Sequence, residues 1–173
     1  IFGVAKGRNL IVIQVESLQS FVIGLKVGGR EVTPNLNAFA KEASLASDVY
    51  NQTGSGNSSD AEFLANAALY PAASGVAYTR FAGNHYEAFP KTLRDNGYRV
   101  FAMHGDRPGF WNRGHMYPAL GFEKFISKKD YVNDESIGMG LSDKSFFRQS
   151  LEMLTQERQP FYSFMVTLTS HYP

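Results

Sequence analysis

Asn9-Leu10-Ile11-Val12-Ile13-Gln14-Val15-Glu16-Ser17 decides the fold. The apolar run through Val15 reads as a buried strand. Glu16 and Ser17 follow it directly. A carboxylate at the C-terminal end of an apolar strand lies where α/β sheets place ligands and metals. Either residue is also suited to cap a following helix. On its own, therefore, Glu16 leaves both roles open.

Outward from that strand, strand and helix alternate. A helix is expected over residues 17–25, then a turn at Lys26-Val27-Gly28-Gly29-Arg30. Thr33-Pro34 opens a second helix, with Thr as cap and Pro in the first turn. Residues 47–50 suggest a short strand, and the Gly-, Ser- and Asn-rich residues 51–57 read as a loop. Ser59-x-x-Glu62 matches a capping box at the mouth of a helix over 60–69. A short helix over 89–96 closes at Gly97. A second strand spans 98–103 and ends at His104-Gly105-Asp106. Ser142 begins an amphipathic helix to about Glu157, and a third apolar strand spans 161–168 and ends at Thr169-Ser170-His171. The alternation predicts an α/β fold, a mostly parallel sheet with helices on both faces. In such a sheet the ends carrying Glu16, His104, Asp106 and His171 share one edge.

The 173 residues suffice for one compact domain with a real core. A net charge of +1 gives no sign of a nucleic-acid footprint. The absence of cysteine excludes disulfides, thiolate metal sites and a cysteine nucleophile. No apolar run approaches the roughly 20 residues of a spanning helix. The chain starts without Met and stops at His171-Tyr172-Pro173, so both ends read as cuts in something longer.

Two further segments carry chemistry. Gln52-Thr53-Gly54-Ser55-Gly56-Asn57-Ser58-Ser59-Asp60 lacks the spacing of a Walker A loop or a dinucleotide fingerprint. It does lead into a helix N-terminus, where free N–H groups favour phosphate or sulfate. With Ser59 as the cap, the Ser58 hydroxyl would stand at that anion site, and a bound metal would make it a usable nucleophile. A solvated turn serine is the simpler alternative. His104-Gly105-Asp106-Arg107-Pro108-Gly109-Phe110-Trp111-Asn112-Arg113 holds the only Trp with a His, an acid and two Arg. Arg suits a phosphate clamp, and Trp111 a polyol face; surface charge beside a core Trp is the other reading. His171 is suited to bind phosphate, to act as acid or base, or to satisfy backbone. His85 and His115 have no comparable context.

Taken in order and spacing, the Asn9–Ser17 stretch, Glu31-Val32-Thr33-Pro34-Asn35-Leu36, the Gln52–Phe63 stretch, Met103-His104-Gly105-Asp106, Phe110-Trp111-Asn112-Arg113 and Thr167-Leu168-Thr169-Ser170-His171-Tyr172-Pro173 resemble lipoteichoic acid synthases. The likeness is to their extracellular catalytic domain, within the sulfatase-like branch of the alkaline phosphatase superfamily. It implies that residues 1–173 are the N-terminal portion of a single catalytic domain whose C-terminal part is absent. It also implies metal-dependent transfer of glycerol phosphate from phosphatidylglycerol to a growing polyglycerol phosphate chain through a covalent glycerophospho-enzyme intermediate.

On this resemblance Glu16 is a metal ligand, and Ser58 is the nucleophile and a second metal contact. His104, Trp111, Arg113 and His171 surround the glycerol phosphate, and Asp106 is grouped with them. The implied metal is manganese, with magnesium as the alternative. The implied location is the extracellular face of the cell membrane, to which the full-length protein is anchored. The family nucleophile is usually threonine, where this chain has Ser58. The family's remaining metal ligands, an adjacent Asp-His pair, lie downstream of Pro173, so the isolated chain is expected to be inactive. A phosphoethanolamine transferase or sulfatase is the nearest enzyme alternative. Ser58-Ser59-Asp60-Ala61-Glu62 lacks the Pro and Arg of the sulfatase nucleophile motif. A non-catalytic anion-binding remnant is the alternative from a different class.

Overall fold

The computed structural model describes residues 3–171, so Tyr172-Pro173, the end of the last matching segment, lies outside the described residues. In chain order the elements are β1 (Leu10–Gln14), β2 (Lys26–Val27), β3 (Arg30–Glu31), α1 (Pro34–Glu42), α2 (Ser58–Ala67), α3 (Ala77–Arg80), α4 (Phe89–Asp95), β4 (Arg99–His104), α5 (Arg113–Ala119), β5 (Lys124–Ile126), β6 (Ser136–Ile137), β7 (Gly140–Leu141), α6 (Asp143–Thr155) and β8 (Phe161–Val166). They fall into two compact units, Ser17–Asn51 and the remainder.

The larger unit is built on a parallel sheet in the order β1-β8-β4-β5. β8 lies between β1 and β4 and is buried along its whole length. That matches a continuous apolar strand covered on both faces. Side chains alternate between two cores. Val100, Ala102, Tyr162, Phe164 and Val166 point to a core shared with Phe63 of α2, Tyr78 of α3 and Tyr117 of α5. Phe101, Met103, Phe161 and Met165 point to the other, where Phe146 and Leu154 of α6 meet them. Helices thus lie on both faces, as the alternation predicted.

Within the described residues β1, expected to be buried, pairs on one side only, with β8, and Ile11 and Ile13 are 43% and 47% exposed. Only its Leu10 and Val12 pack against a core.

The Ser17–Asn51 unit holds the β2–β3 hairpin and α1. The helix expected over 17–25 shrinks to a 3-10 turn at Ser20–Val22. Gly24 takes a positive φ of 79°, which ends helical geometry there. Its N–H donates to Asn37 Oδ1, and the Thr33 hydroxyl donates to the Val22 carbonyl. Thr33 therefore ties this turn to α1 instead of capping the helix with its side chain. Pro34 does occupy the first turn of α1. The short strand expected over 47–50 is not formed.

The start of α2 corrects a second expectation. The helix begins at Ser58, Asn57 occupies the cap position without a side-chain cap bond, and no capping box forms. The Ser59 hydroxyl donates to the Gly56 carbonyl at 2.8 Å. Asp60 holds the loop instead, its Oδ2 accepting the N–H groups of Gly54 and Gly56, each at 2.9 Å. A Cβ at Gly56 would collide with the Asp60 carboxylate and the Ser59 hydroxyl, so only glycine fits there. Asp60→Ala is expected to lower stability by about 3 kcal/mol, because two charge-assisted bonds are lost at a buried position. Ser59→Ala is expected to cost about 1 kcal/mol, through the lost bond to Gly56 and not through a cap. Denaturant melts check both values. A loss under about 0.5 kcal/mol in Asp60→Ala would show that the carboxylate does not hold the loop.

Candidate active site

The sheet register sets the site. Val166 of β8 pairs with Gln14 of β1 on one side and with His104 of β4 on the other. The ladder continues past β1, since Thr167 N–H donates to the Gln14 carbonyl and the Glu16 N–H donates to the Thr167 hydroxyl at 2.8 Å. The Gln14 side chain donates to the Ser58 carbonyl at 3.1 Å, which fixes the start of α2 beside the end of β1. As a result the Ser58 hydroxyl donates to Glu16 Oε2 at 2.8 Å, across 42 residues of sequence.

Glu16 Oε2 and Ser58 Oγ are adjacent hard oxygen donors, the type that magnesium and manganese take. Their chemistry fits such an ion. Among the described residues, no group of three His, Cys, Asp or Glu side chains is placed to hold one.

His104 is buried at the end of β4. Its Nδ1 lies 2.9 Å from the Val166 carbonyl, and its Nε2 is buried without a hydrogen-bond partner. A carbonyl only accepts, so Nδ1 carries the proton and Nε2 the lone pair. Burial, and then the positive charges of Arg113 and His171, lower this imidazole to about 3, against a smaller opposing effect of the Val166 bond. His104 is therefore neutral at pH 7.

Arg113, the first residue of α5, is 1% exposed. Its Nε lies 3.0 and 3.2 Å from the two Glu62 oxygens, and Nη2 also donates to Glu62 Oε1. Tyr117 OH donates to Glu62 Oε2 at 2.7 Å. Burial acts to lower the guanidinium pKa, but the Glu62 charge and hydrogen bonds together with Tyr117 and Tyr78 outweigh it, and the net shift is upward. Burial and the same carboxylate raise both Tyr78 and Tyr117 well above the usual range, so both stay protonated. Arg113 Nη1 is left without a partner.

The Phe110 ring bridges to this group. Its centroid is 5.7 Å from the Arg113 guanidinium carbon and 6.3 Å from the His171 ring. His171 is placed by the start of α6, where the Asp143 carboxylate accepts the N–H groups of Leu168 and Thr169. Trp111 is half-buried against the first core and packs edge-on to Phe110 at 5.7 Å. Asp106 is buried with Oδ2 unpartnered, and its backbone carbonyl accepts the Lys128 N–H. Its neighbours run toward Lys128 and Arg107 rather than toward Ser58. His85 and His115 are exposed.

The structure thus brings Glu16, Ser58, His104, Arg113 and His171 to one edge of the sheet. It narrows the reading of the helix mouth as an anion site, because most amides around it are engaged, while that of Ser58 is not among them. The N–H groups of Gly54 and Gly56 go to Asp60, and those of Asn57, Ser59, Asp60 and Ala61 go to preceding carbonyls. Arg113 and His171 remain as the cationic or cation-capable groups.

Glu62 is the residue that sequence reasoning misassigned; its partner stands 51 positions away, beyond the reach of a local pattern. Backbone strain marks the same places. Among the described residues the non-glycine positive φ values are at Ser17, Asn57, Ala68, Trp111 and Asn112. All but Ala68, which ends α2, adjoin or belong to the candidate set. Such conformations cost of order 1–3 kcal/mol each and cluster at functional sites.

The sulfatase family model matches residues 8–173. Lipoteichoic acid synthase 2 of Bacillus subtilis is 41% identical over 99% of this chain and 27% of its own length. Lipoteichoic acid synthase of Staphylococcus aureus is 39% identical over 99% of this chain and 28% of its own. The crystal structure of the lipoteichoic acid synthase LtaP from Listeria monocytogenes superposes with a TM-score of 0.95 at 28% identity, covering 99% of this chain and 43% of that one. The chain therefore spans less than half the length of these relatives. Among the described residues no helix is long and apolar enough to cross a membrane. With its mostly parallel sheet, its Ser58–Glu16 pair at the strand ends and a family match over nearly its whole length, the chain belongs to the sulfatase family.

Proposed function

We propose that residues 1–173 form the N-terminal portion of a sulfatase-like catalytic domain that transfers glycerol phosphate from phosphatidylglycerol to a growing polyglycerol phosphate chain. In this reading the full-length protein is membrane-anchored and works at the extracellular face. The observation that carries it is the 2.8 Å contact between Ser58 Oγ and Glu16 Oε2 at the C-terminal edge of the sheet. The likeness to lipoteichoic acid synthases over 99% of the chain supports it.

In the first step Ser58 Oγ bonds to the lipid phosphorus, and the bond from phosphorus to the diacylglycerol oxygen breaks. Glu16 stays ionised as the ligand of the cation, so the Ser58 proton passes to water, and the departing diacylglycerol oxygen takes up a proton from water. In the second step the terminal hydroxyl of the acceptor chain attacks the phosphorus and gives its proton to water, and the Ser58 oxygen departs and is reprotonated from water. A divalent cation held by Glu16 and Ser58, Mn2+ with Mg2+ as the alternative, lowers the pKa of the hydroxyl and offsets phosphate charge when bound.

Arg113 Nη1 and His171 meet the phosphate oxygens where charge builds up. His104 has a different task. Its Nε2 is an acceptor, so it suits an O–H and not a phosphate oxygen; we assign it to a glycerol hydroxyl. Asp106 is kept with this set by the resemblance alone, because the groups around it lie toward Lys128 and Arg107. Trp111 packs beside the glycerol.

In the full-length protein, Ser58→Ala is expected to abolish release of diacylglycerol, whereas Ser59→Ala retains turnover. Wild-type release by Ser58→Ala would remove the nucleophile assignment. The 173-residue chain alone is expected to bind glycerol phosphate, to bind manganese weakly and to turn over no lipid. Calorimetry showing tight manganese binding would mean the ligand set is misread. His104 gives a pH signature. Its folded pKa of about 3 is below the ordinary 6.5. Its contribution to stability is thus complete above 6.5 and is lost as pH falls toward 3. Between pH 7 and 5 this amounts to about 2 kcal/mol, and melts of His104→Asn should lack that component; equal slopes in variant and wild type would contradict it.

A further inference from the structure

We infer that Glu62 is a positioning residue for phosphate transfer: it fixes the Arg113 fork so that the outer edge of the guanidinium meets the transferring group. The inference rests on the reading of this site as a glycerol phosphate transferase.

Glu62 stands four residues after Ser58 in α2, one turn on and on the same side of the helix. It is wholly buried. Both of its oxygens are engaged, by Arg113 Nε and Nη2 and by the Tyr117 hydroxyl. It therefore has no capacity left to serve as a base. A guanidinium is planar and carries five N–H groups in a rigid fork. The Nε and Nη2 edge is taken by Glu62, which fixes both the plane and its rotation. The opposite edge, formed by Nη1 and the second hydrogen of Nη2, keeps the donors for an anion. Nη1 is buried and unpartnered. Such a group carries a desolvation cost until something accepts from it.

Stability alone does not account for this arrangement. A buried ion pair is often no more stabilising than apolar residues of the same volume, and here the buried Tyr78 and Tyr117 stand beside it. The pair also links two separate elements. It joins the helix that carries Ser58 to the helix that begins with Arg113, so nucleophile and phosphate clamp keep one spacing. Errors of this kind are costly, since a displacement of about 1 Å can reduce turnover about 100-fold.

The test is release of diacylglycerol from phosphatidylglycerol vesicles by the full-length protein. Five forms are compared: wild type, Glu62→Gln, Arg113→Gln, the double variant and Tyr117→Phe. Glu62→Gln should lower kcat/KM about 30-fold, mostly in kcat, in protein that still unfolds cooperatively, although the unpaired Arg113 lowers its melting temperature. In the Arg113→Gln background the same change should alter kcat/KM less than twofold, because Glu62 acts only through Arg113. A merely structural role would multiply the two losses instead. Tyr117→Phe keeps both charges and the ring packing, and should lower kcat/KM three- to tenfold. It remains informative if the charge variants do not fold. A Glu62→Gln enzyme within twofold of wild type, multiplied losses in the double variant, or an unaffected Tyr117→Phe would each overturn the inference. Wild-type protein that releases no diacylglycerol would instead bring down the transferase reading, and this inference with it.

Discussion

Val166 stands in register with a strand on each side, with Gln14 of β1 and His104 of β4, and this double register is the constraint on which the site depends. Its register with Gln14 places Glu16 just beyond the sheet, and its register with His104 places the imidazole beside its own carbonyl. A slip of one residue in either ladder would turn every side chain of the shifted strand to the opposite face. The core prevents such a slip. Tyr162 and Phe164 fill one side of β8, and Phe161 and Met165 fill the other. Core packing and site geometry are therefore one specification, written twice along the same six-residue strand.

Buried charge is managed by pairing within α2. Asp60 and Glu62 both lie in its first turns and both are inaccessible to water. One closes the loop through backbone amides, and the other reaches across to Arg113. A carboxylate near a helix N-terminus is favoured by the helix dipole, so the same field helps hold both anions. His104 solves the problem differently, by remaining neutral. The result is a site with few net charges in which hydrogen-bond direction distinguishes the groups: Nη1 donates and Nε2 accepts.

The long apolar strands were legible in the sequence, because β4 and β8 are continuous runs and the residues after them are polar. Ser142 was also legible as a cap, and its side chain accepts the Ser145 N–H. What escaped was short or non-local. β5 has only three residues, and α5 carries Gly114 and Pro118, which weaken any helical pattern. Glu62 fitted a capping box locally, but Arg113 and Tyr117 lie more than 50 positions away in the chain and claim its carboxylate. β1 read as buried because its composition is apolar; within the described residues it pairs with β8 alone. The positions of Glu16, Ser58, His104 and His171 followed from strand ends and a helix start. Their mutual geometry required the register.

The closure of the α2 mouth by Asp60 has a consequence for selectivity. An open helix N-terminus attracts small anions without regard to their shape. Here the loop amides of Gly54 and Gly56 already face a carboxylate that cannot diffuse away. Inorganic phosphate, sulfate or chloride in the surrounding medium finds those two amides taken. An incoming group must be recognised by directed donors and acceptors on separate elements, and a bare ion can engage only part of that set. The loop thereby works as an internal competitor for two of the amides that a bare anion would use.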